Sequence, residues 1–245
     1  MSIINKYVFA IGGGGFTHGK DRSLENFILS IKNKEILKIG FLPTASQDNY
    51  EKTKLFYERF KKTTHKLSHF ELLKGTIGFQ EWVLSNDIIY VGGGNTNFML
   101  ELWKKNNLKN IFIEAYTNGI ILSGVSAGAV CWFKNILSNS LKKNFTHLKG
   151  IGLINLSCTP HASSEPERVK VLQQKVRNGI MPPGIVIDDG VGVLLINGKI
   201  KKVFTARKNH SAYYIDQTCI KNLEQKNNSN YQLNTNNWKK IKFLI

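Results

Sequence analysis

The chain has 245 residues, 42% hydrophobic and 21% charged, and its 34 basic and 17 acidic side chains give a net charge of +17. These proportions are ordinary for a globular protein, and no apolar run approaches the roughly 20 residues of a membrane-spanning helix. Because the lysines are scattered and no nucleic-acid-binding motif accompanies them, we interpret the charge as a solvated surface and expect neither a membrane partner nor a specific nucleic-acid partner.

Short apolar segments alternate with segments of helical periodicity through the first half of the chain. Strands are predicted at residues 7–11, 36–42, 67–73, 87–91 and 120–123. Helices are predicted at residues 24–33, 49–63, 97–106 and 111–117, where apolar side chains recur every three or four positions. From about residue 150 the chain is rich in strands, and Asn197-Gly198 predicts a hairpin between two of them. The Asn-rich segment 227–237 is predicted as a loop or hairpin.

The alternation of strands and helices predicts an α/β fold, in which a mostly parallel sheet carries helices on both faces. Ligands bind such sheets at the carboxyl ends of the strands. Three glycine-containing loops are expected there, at residues 12–15, 92–96 and 124–129. No linker or internal repeat divides the chain, so we predict one domain over residues 1–245.

Two further features of the sequence bear on its class. The N-terminus lacks the basic start, apolar stretch and cleavage site of a signal peptide, so we expect a cytoplasmic protein. The three cysteines are widely spaced and form no CxxC pair, which predicts neither a metal site nor a disulfide framework.

The segment Gly124-Val125-Ser126-Ala127-Gly128-Ala129 lies between a predicted strand and a second apolar run. A serine between small residues at a strand-to-helix turn is typical of a nucleophile elbow, which exposes the serine Oγ at the end of a sheet. A glycine-rich turn without catalytic meaning is the alternative interpretation. The pattern therefore makes Ser126 a candidate nucleophile.

A serine nucleophile requires a base and donors for an oxyanion. Among six histidines, His161 is the best candidate base because it follows Thr159-Pro160 at the end of an apolar stretch, although a loop histidine is commonly a surface residue. The N–H groups of Gly93 or Gly94 and of Ala127 are candidate oxyanion donors. A phosphate loop is the alternative for residues 92–96, but the Gly-Lys-Ser/Thr of a P-loop is missing.

Four segments follow one another along the chain: residues 90–96 and 124–133, Pro160-His161, and Ile187-Asp188-Asp189-Gly190. Together they resemble the peptidase E family, serine peptidases that include aspartyl dipeptidases and have cyanophycinases as relatives. The resemblance implies a three-layer α/β/α sandwich similar to class I glutamine amidotransferases, with serine in place of their cysteine. It also implies Ser126 as the nucleophile, His161 as the base, and Gly93 or Gly94 with Ala127 as the oxyanion hole.

The chain departs from the family pattern where an acidic residue is expected about a dozen positions after the serine. Asn139 stands in that stretch, and an asparagine can orient an imidazole but stabilises imidazolium poorly. Glu165 is the rival orienter, or else a residue at a helix start. Asp188 and Asp189 are expected either to support the site from a turn or to satisfy backbone amides there.

Asn95, Thr96 and Arg168 are the candidates for contacting substrate. An N-terminal aspartate in the substrate would require a cation, which Arg168 would supply if it is not simply an exposed helix residue. We predict a serine exopeptidase or dipeptidase for short peptides that needs no metal or organic cofactor, and we allow for a homodimer. The alternative is a catalytically impaired relative that acts as a binding or regulatory protein.

Overall fold

The computed structural model of the chain describes residues 4–141 and 144–223. Its strands are β1 (Tyr7–Ile11), β2 (Lys38–Leu42), β3 (Lys66–His69), β4 (Ile88–Val91), β5 (Ile121–Val125), β6 (Phe133–Ser138), β7 (Thr146–Lys149), β8 (Ile154–Thr159), β9 (Gly184–Ile187), β10 (Val191–Ile196), β11 (Lys199–Thr205), β12 (Ala212–Ile215) and β13 (Ile220–Asn222). Its helices are α1 (Ser23–Ser30), α2 (Tyr50–Phe60), α3 (Phe79–Ser85), α4 (Thr96–Lys105), α5 (Lys109–Thr117), α6 (Ala127–Val130) and α7 (Glu167–Arg177). The predicted loop or hairpin at residues 227–237 lies outside the described residues.

The larger sheet has seven strands in the order β11-β10-β1-β5-β4-β2-β3. Strands β1, β5, β4, β2 and β3 pair in parallel, whereas β10 runs antiparallel to both β1 and β11. The prediction of a mostly parallel sheet is therefore confirmed, and the hairpin at Asn197-Gly198 joins β10 to β11.

Helices cover both faces of this sheet because successive strand residues face opposite sides. Phe9 of β1 packs in one cluster with Leu24 of α1 and Phe56 of α2. Its neighbour Val8 belongs to the cluster on the other face, which contains Trp103 of α4. The expected three-layer α/β/α arrangement is confirmed.

A second sheet of six strands, in the order β13-β12-β9-β8-β6-β7, was not expected from the sequence. Strands β6 and β8 carry buried polar residues that interrupt their apolar runs, which weakens the sequence signal of a core strand. Thr159 of β8 is fully buried and donates its hydroxyl to Leu137 O at 3.1 Å. Asn135 of β6 is also buried, and its Oδ1 accepts from Lys149 Nζ at 2.8 Å. These hydrogen bonds satisfy groups that would otherwise oppose burial.

Helix α7 packs on the second sheet through its apolar stripe. Leu172 and Val176 are fully buried against Val186 of β9 and Ile215 of β12. The helix thereby fixes the position of its first turn near the ends of β6 and β8. None of the helices in the described ranges combines the length and apolar character needed to cross a membrane.

Candidate active site

Ser126 lies between β5 and α6 in a backbone conformation that residues other than glycine rarely adopt. Its φ is 56° and its ψ is −113°, and such a conformation persists only where the surroundings enforce it. The turn leaves no space for a side chain two positions away from the serine on either side. An added Cβ on Gly124 would lie 2.5 Å from Val91 O, and one on Gly128 would overlap the same carbonyl oxygen. The small residues around the serine are thus required by the packing of this turn against β4.

The side chain of Ser126 is hydrogen-bonded to His161, which follows the end of β8. The distance from His161 Nε2 to Ser126 Oγ is 2.8 Å, and the distance from His161 Nδ1 to Asp189 Oδ1 is 2.7 Å. An ionised carboxylate only accepts hydrogen bonds, so Nδ1–H donates to Asp189 and the Nε2 lone pair accepts from the serine hydroxyl. The arrangement prepares the imidazole to receive the serine proton.

Asp189 follows β9 and is held by more than the histidine. Its Oδ2 accepts from Ser163 Oγ at 3.0 Å and from Ser164 Oγ at 2.6 Å. Burial alone would raise the pKa of Asp189, but the hydrogen bonds from His161 and the two serines, with attraction to the imidazole, outweigh it and hold the pKa well below its usual value. The carboxylate is therefore ionised at neutral pH and stabilises a positive charge on His161.

The expectation that Asn139 or Glu165 orients the histidine is wrong in this geometry. Asn139 Nδ2 donates to Glu165 Oε2 at 3.1 Å, and both side chains also contact Arg168. The end of β6 directs Asn139 toward α7, whereas the end of β9 brings Asp189 to the imidazole. The sequence predicts Asp189 either as a support of the site from a turn or as a residue that satisfies backbone amides, and its position two residues after a buried strand is the available signal.

Gly13 in the first glycine-rich loop contacts the histidine–aspartate pair. It forms an isolated parallel bridge with Asp189, and its carbonyl accepts from Gly190 N at 2.8 Å. An added Cβ on Gly13 would overlap Asp189 Oδ1 and lie 2.8 Å from His161 Nδ1. The loop at residues 12–15 therefore leaves the space in which this pair forms.

The second glycine-rich loop passes beside the serine. Gly92 N donates to Leu42 O at 3.0 Å and Asn95 N donates to Ala45 O at 2.7 Å, but the N–H groups of Gly93 and Gly94 have no acceptor within the described part of the chain. An added Cβ on Gly93 would lie 3.3 Å from Ser126 Cβ. Ala127 is the first residue of α6, and its N–H has no acceptor within the helix. Gly93 and Ala127 thus lie beside Ser126, and Gly94 lines the same cleft.

Ser126 and His161 open onto a cleft of about 210 Å³. Its remaining lining comes from the ends of β6 and β8, the starts of α4 and α7 and the serine turn: Gly94, Thr96, Val130, Leu137, Ser138, Asn139, Ser140, Pro160, Glu165 and Arg168. Of the three predicted substrate contacts, Thr96 and Arg168 line this cleft. Asn95 instead caps α4, because its Oδ1 accepts from Phe98 N at 2.9 Å.

Arg168 is buried, with 3% of its surface exposed, so its interpretation as an exposed helix residue is wrong. It lies one residue inside α7 and pairs with Glu165 across one helical turn at 3.1 Å. Its guanidinium also packs over the Phe145 ring, 4.9 Å from the centroid. The first turn of α7 therefore places an ion pair in the wall of the cleft.

The described part of the chain contains no group of three or more His, Cys, Asp or Glu side chains placed to hold a metal ion. At the cleft, Ser126 and His161 form one hydrogen-bonded line with the carboxylate of Asp189. This arrangement belongs to the class of serine hydrolases.

The sequence profile of peptidase family S51 matches residues 8–203. The chain belongs to this family and is a serine peptidase of the peptidase E type. It is 36% identical over 212 residues to "Uncharacterized peptidase YgaJ" of Bacillus subtilis strain 168, covering 86% of this chain and 92% of that protein. It is 31% identical over 149 residues to "Uncharacterized peptidase Lmo0363" of Listeria monocytogenes, covering 56% of this chain and 71% of that protein.

Solved structures share the fold at low sequence identity. A crystal structure of a peptidase from an acI-B1 Actinobacterium superimposes with a TM-score of 0.68 at 16% identity, covering 92% of this chain and 97% of the other. A protein assigned to peptidase E from Listeria monocytogenes EGD-e gives a TM-score of 0.62 at 19% identity, covering 82% and 98%. At these identities the likeness concerns the fold.

Proposed function

We propose that the protein is a serine exopeptidase or dipeptidase that hydrolyses short peptides through Ser126, His161 and Asp189. The observation that carries this proposal is the continuous hydrogen-bonded line from Ser126 Oγ to His161 Nε2 and from His161 Nδ1 to Asp189 Oδ1. In this proposal the turn around Ser126 acts as a nucleophile elbow, and its backbone conformation aims Oγ into the cleft.

The reaction follows from the direction of these hydrogen bonds. Ser126 Oγ attacks the scissile carbonyl while His161 Nε2 takes the hydroxyl proton, and Asp189 stabilises the imidazolium that forms. The N–H groups of Ala127 and of Gly93 or Gly94 stabilise the negative oxygen of the tetrahedral intermediate. His161 then protonates the leaving amine, and a water molecule activated by the same histidine hydrolyses the acyl-enzyme.

The size of the cleft supports a short substrate. A cleft of about 210 Å³ fits the one or two residues of a short peptide. The Asp189 carboxylate also favours catalysis over the alternative of an impaired binding protein, because that alternative depended on the asparagine at position 139. A preference for an N-terminal aspartate would depend on whether Arg168 has an N–H group free for the substrate carboxylate.

A fluorophosphonate probe tests the proposed nucleophile. Intact mass should show one adduct on the wild type and none on Ser126→Ala, while Ser30→Ala, which changes a serine at the end of α1, should be labelled like the wild type. A panel of dipeptides and longer peptides should then show turnover of the short substrates. An unlabelled wild type, or turnover retained by Ser126→Ala, contradicts the proposal.

A further inference from the structure

The terminal nitrogens of Arg168 are already occupied. Nη1 donates to Leu137 O at 3.4 Å and to Thr159 Oγ1 at 3.3 Å. Nη2 donates to Asn139 Oδ1 and to Glu165 Oε1, each at 3.1 Å. The Nε–H finds no acceptor in the described part of the chain, but this atom is buried and does not reach solvent in the cleft. A substrate carboxylate therefore meets no free donor on Arg168.

Glu165 and Asn139 complete a ring of hydrogen bonds with Arg168. Besides accepting from Arg168, Glu165 accepts from Asn139 Nδ2 through Oε2 at 3.1 Å. Its side chain keeps 35% of its surface exposed, whereas that of Arg168 keeps 4%. The partner that faces the cleft is thus the carboxylate, and the cation lies behind it.

We propose that Glu165 determines the specificity of the cleft by occupying Arg168, so that the site accepts substrates with a neutral polar acyl side chain and rejects those with an acidic one. This inference rests on the proposed function, because it concerns the residue that supplies the acyl group to Ser126. An acidic side chain would have to displace Glu165 from Arg168 and leave one of two carboxylates without its partner, which is unfavourable.

The other polar groups in the wall suit a neutral side chain. Thr96, Ser138 and Ser140 contribute hydroxyl groups, and Glu165, Arg168 and His161 are the ionisable side chains in the lining. Since the charges of Glu165 and Arg168 cancel, an amide or hydroxyl on the substrate gains hydrogen bonds without the desolvation cost of a buried charge.

Binding of a matched pair of dipeptides, Asn-Leu and Asp-Leu, tests this specificity without requiring turnover. The two peptides have nearly the same shape and differ in one charge. Calorimetry on Ser126→Ala is expected to show tighter binding of Asn-Leu. Adding Glu165→Gln removes the competing charge and leaves Arg168 positive, which should shift the ratio of the two Kd values toward Asp-Leu by at least about tenfold.

Glu167→Gln in the same Ser126→Ala background is the matched control, because Glu167 is an exposed glutamate of α7 and should leave the ratio unchanged. Three results would overturn the inference. Ser126→Ala could bind Asp-Leu more tightly than Asn-Leu, the ratio of the two Kd values could stay unchanged when Glu165→Gln is added, or neither peptide could bind. Probe labelling of the wild type is scored separately. If labelling fails while the expected ratios appear, the proposed function is wrong and the specificity of the cleft stands.

Discussion

Gly13 and Asp189 approach each other so closely that position 13 has no space for a side chain. Their backbones form a parallel bridge between two loops that are far apart in the sequence. The Asp189 carboxylate that contacts His161 occupies the volume that a Cβ on Gly13 would need. A glycine in the first loop thus controls the geometry of a pair that belongs to the second half of the chain.

Replacing this glycine tests that relationship. Gly13→Ala is expected to push the carboxylate away from His161 and to lower kcat/KM on a short peptide by up to about 10⁴-fold, the loss that follows when a triad aspartate is replaced. Gly198→Ala, at a hairpin turn with open space around the Cβ position, is the control. It should reduce stability slightly and leave kcat/KM near that of the wild type. Equal activity of the two variants would contradict the steric argument.

If Asp189 is the carboxylate that stabilises the His161 imidazolium, replacing it by the isosteric asparagine should strongly reduce activity. Asp189→Asn should lower kcat by about 10³–10⁴-fold, because an amide cannot stabilise the imidazolium and can present the wrong hydrogen-bonding group to Nδ1. Steady-state kinetics should show this loss mainly in kcat.

Asp216→Asn is the matched control for Asp189→Asn, since Asp216 is also a hydrogen-bonded carboxylate but accepts from Thr218 and Cys219 in a separate turn. Its kcat should stay within about threefold of the wild type, the range expected of a substitution away from the site. Comparable losses in both variants would show that carboxylate removal acts through folding.

The larger sheet could be predicted from the sequence, whereas the second sheet could not. Strand β4 is a continuous apolar run followed directly by Gly92, and this is the usual signature of a buried parallel strand. The strands β6 and β8 include Asn135 and Thr159, which are buried because partners elsewhere in the fold satisfy them. The periodicity of apolar residues does not show which partners a polar residue meets in the fold. The second sheet therefore cannot be predicted from local sequence alone.

The difference between local and tertiary information also explains which site residues can be predicted from the sequence. The serine turn is local, and the clash of any side chain near Val91 leaves a visible pattern of small residues around Ser126. The pairing of His161 with Asp189 joins the ends of two neighbouring strands, β8 and β9, across 28 positions in sequence. Arg168 resembles an exposed helix residue until its partners at β6 and α7 are known. The sequence thus predicts the histidine of this pair but assigns its orienting partner to Asn139 or Glu165.

The lowered pKa of Asp189 predicts a specific dependence of stability on pH. A carboxyl group whose pKa is lower in the folded than in the unfolded state stabilises the fold above its unfolded pKa, near 4, and loses that contribution as pH falls further. The difference in unfolding free energy between wild type and Asp189→Asn, measured by urea titration, should stay constant above about pH 5 and then shift against the wild type below about pH 4.

The adjacent Asp188 provides a control of opposite sign. Burial raises the pKa of Asp188, and this effect outweighs the hydrogen bond from Ser211 N. Ionisation of Asp188 is therefore unfavourable in the fold, and the wild type should gain stability relative to Asp188→Asn as pH falls through the raised pKa toward 4. The same trend in both variants would mean that the titration reflects the net charge of the protein and not these two environments.

The turn around Ser126 makes a prediction about folding that is independent of activity. Gly128→Ala should lower the unfolding free energy by about 2–3 kcal/mol, because its Cβ would overlap the carbonyl oxygen of Val91 and neither backbone can move without disturbing β4. Gly19→Ala is the control: nothing lies near its Cβ position, and its φ of 63° should cost about 1 kcal/mol. Urea unfolding of both variants measures the difference. Equal or higher stability of Gly128→Ala compared with Gly19→Ala would contradict this argument. It would mean that position 128 needs a small residue for a reason other than the packing of the serine turn against Val91.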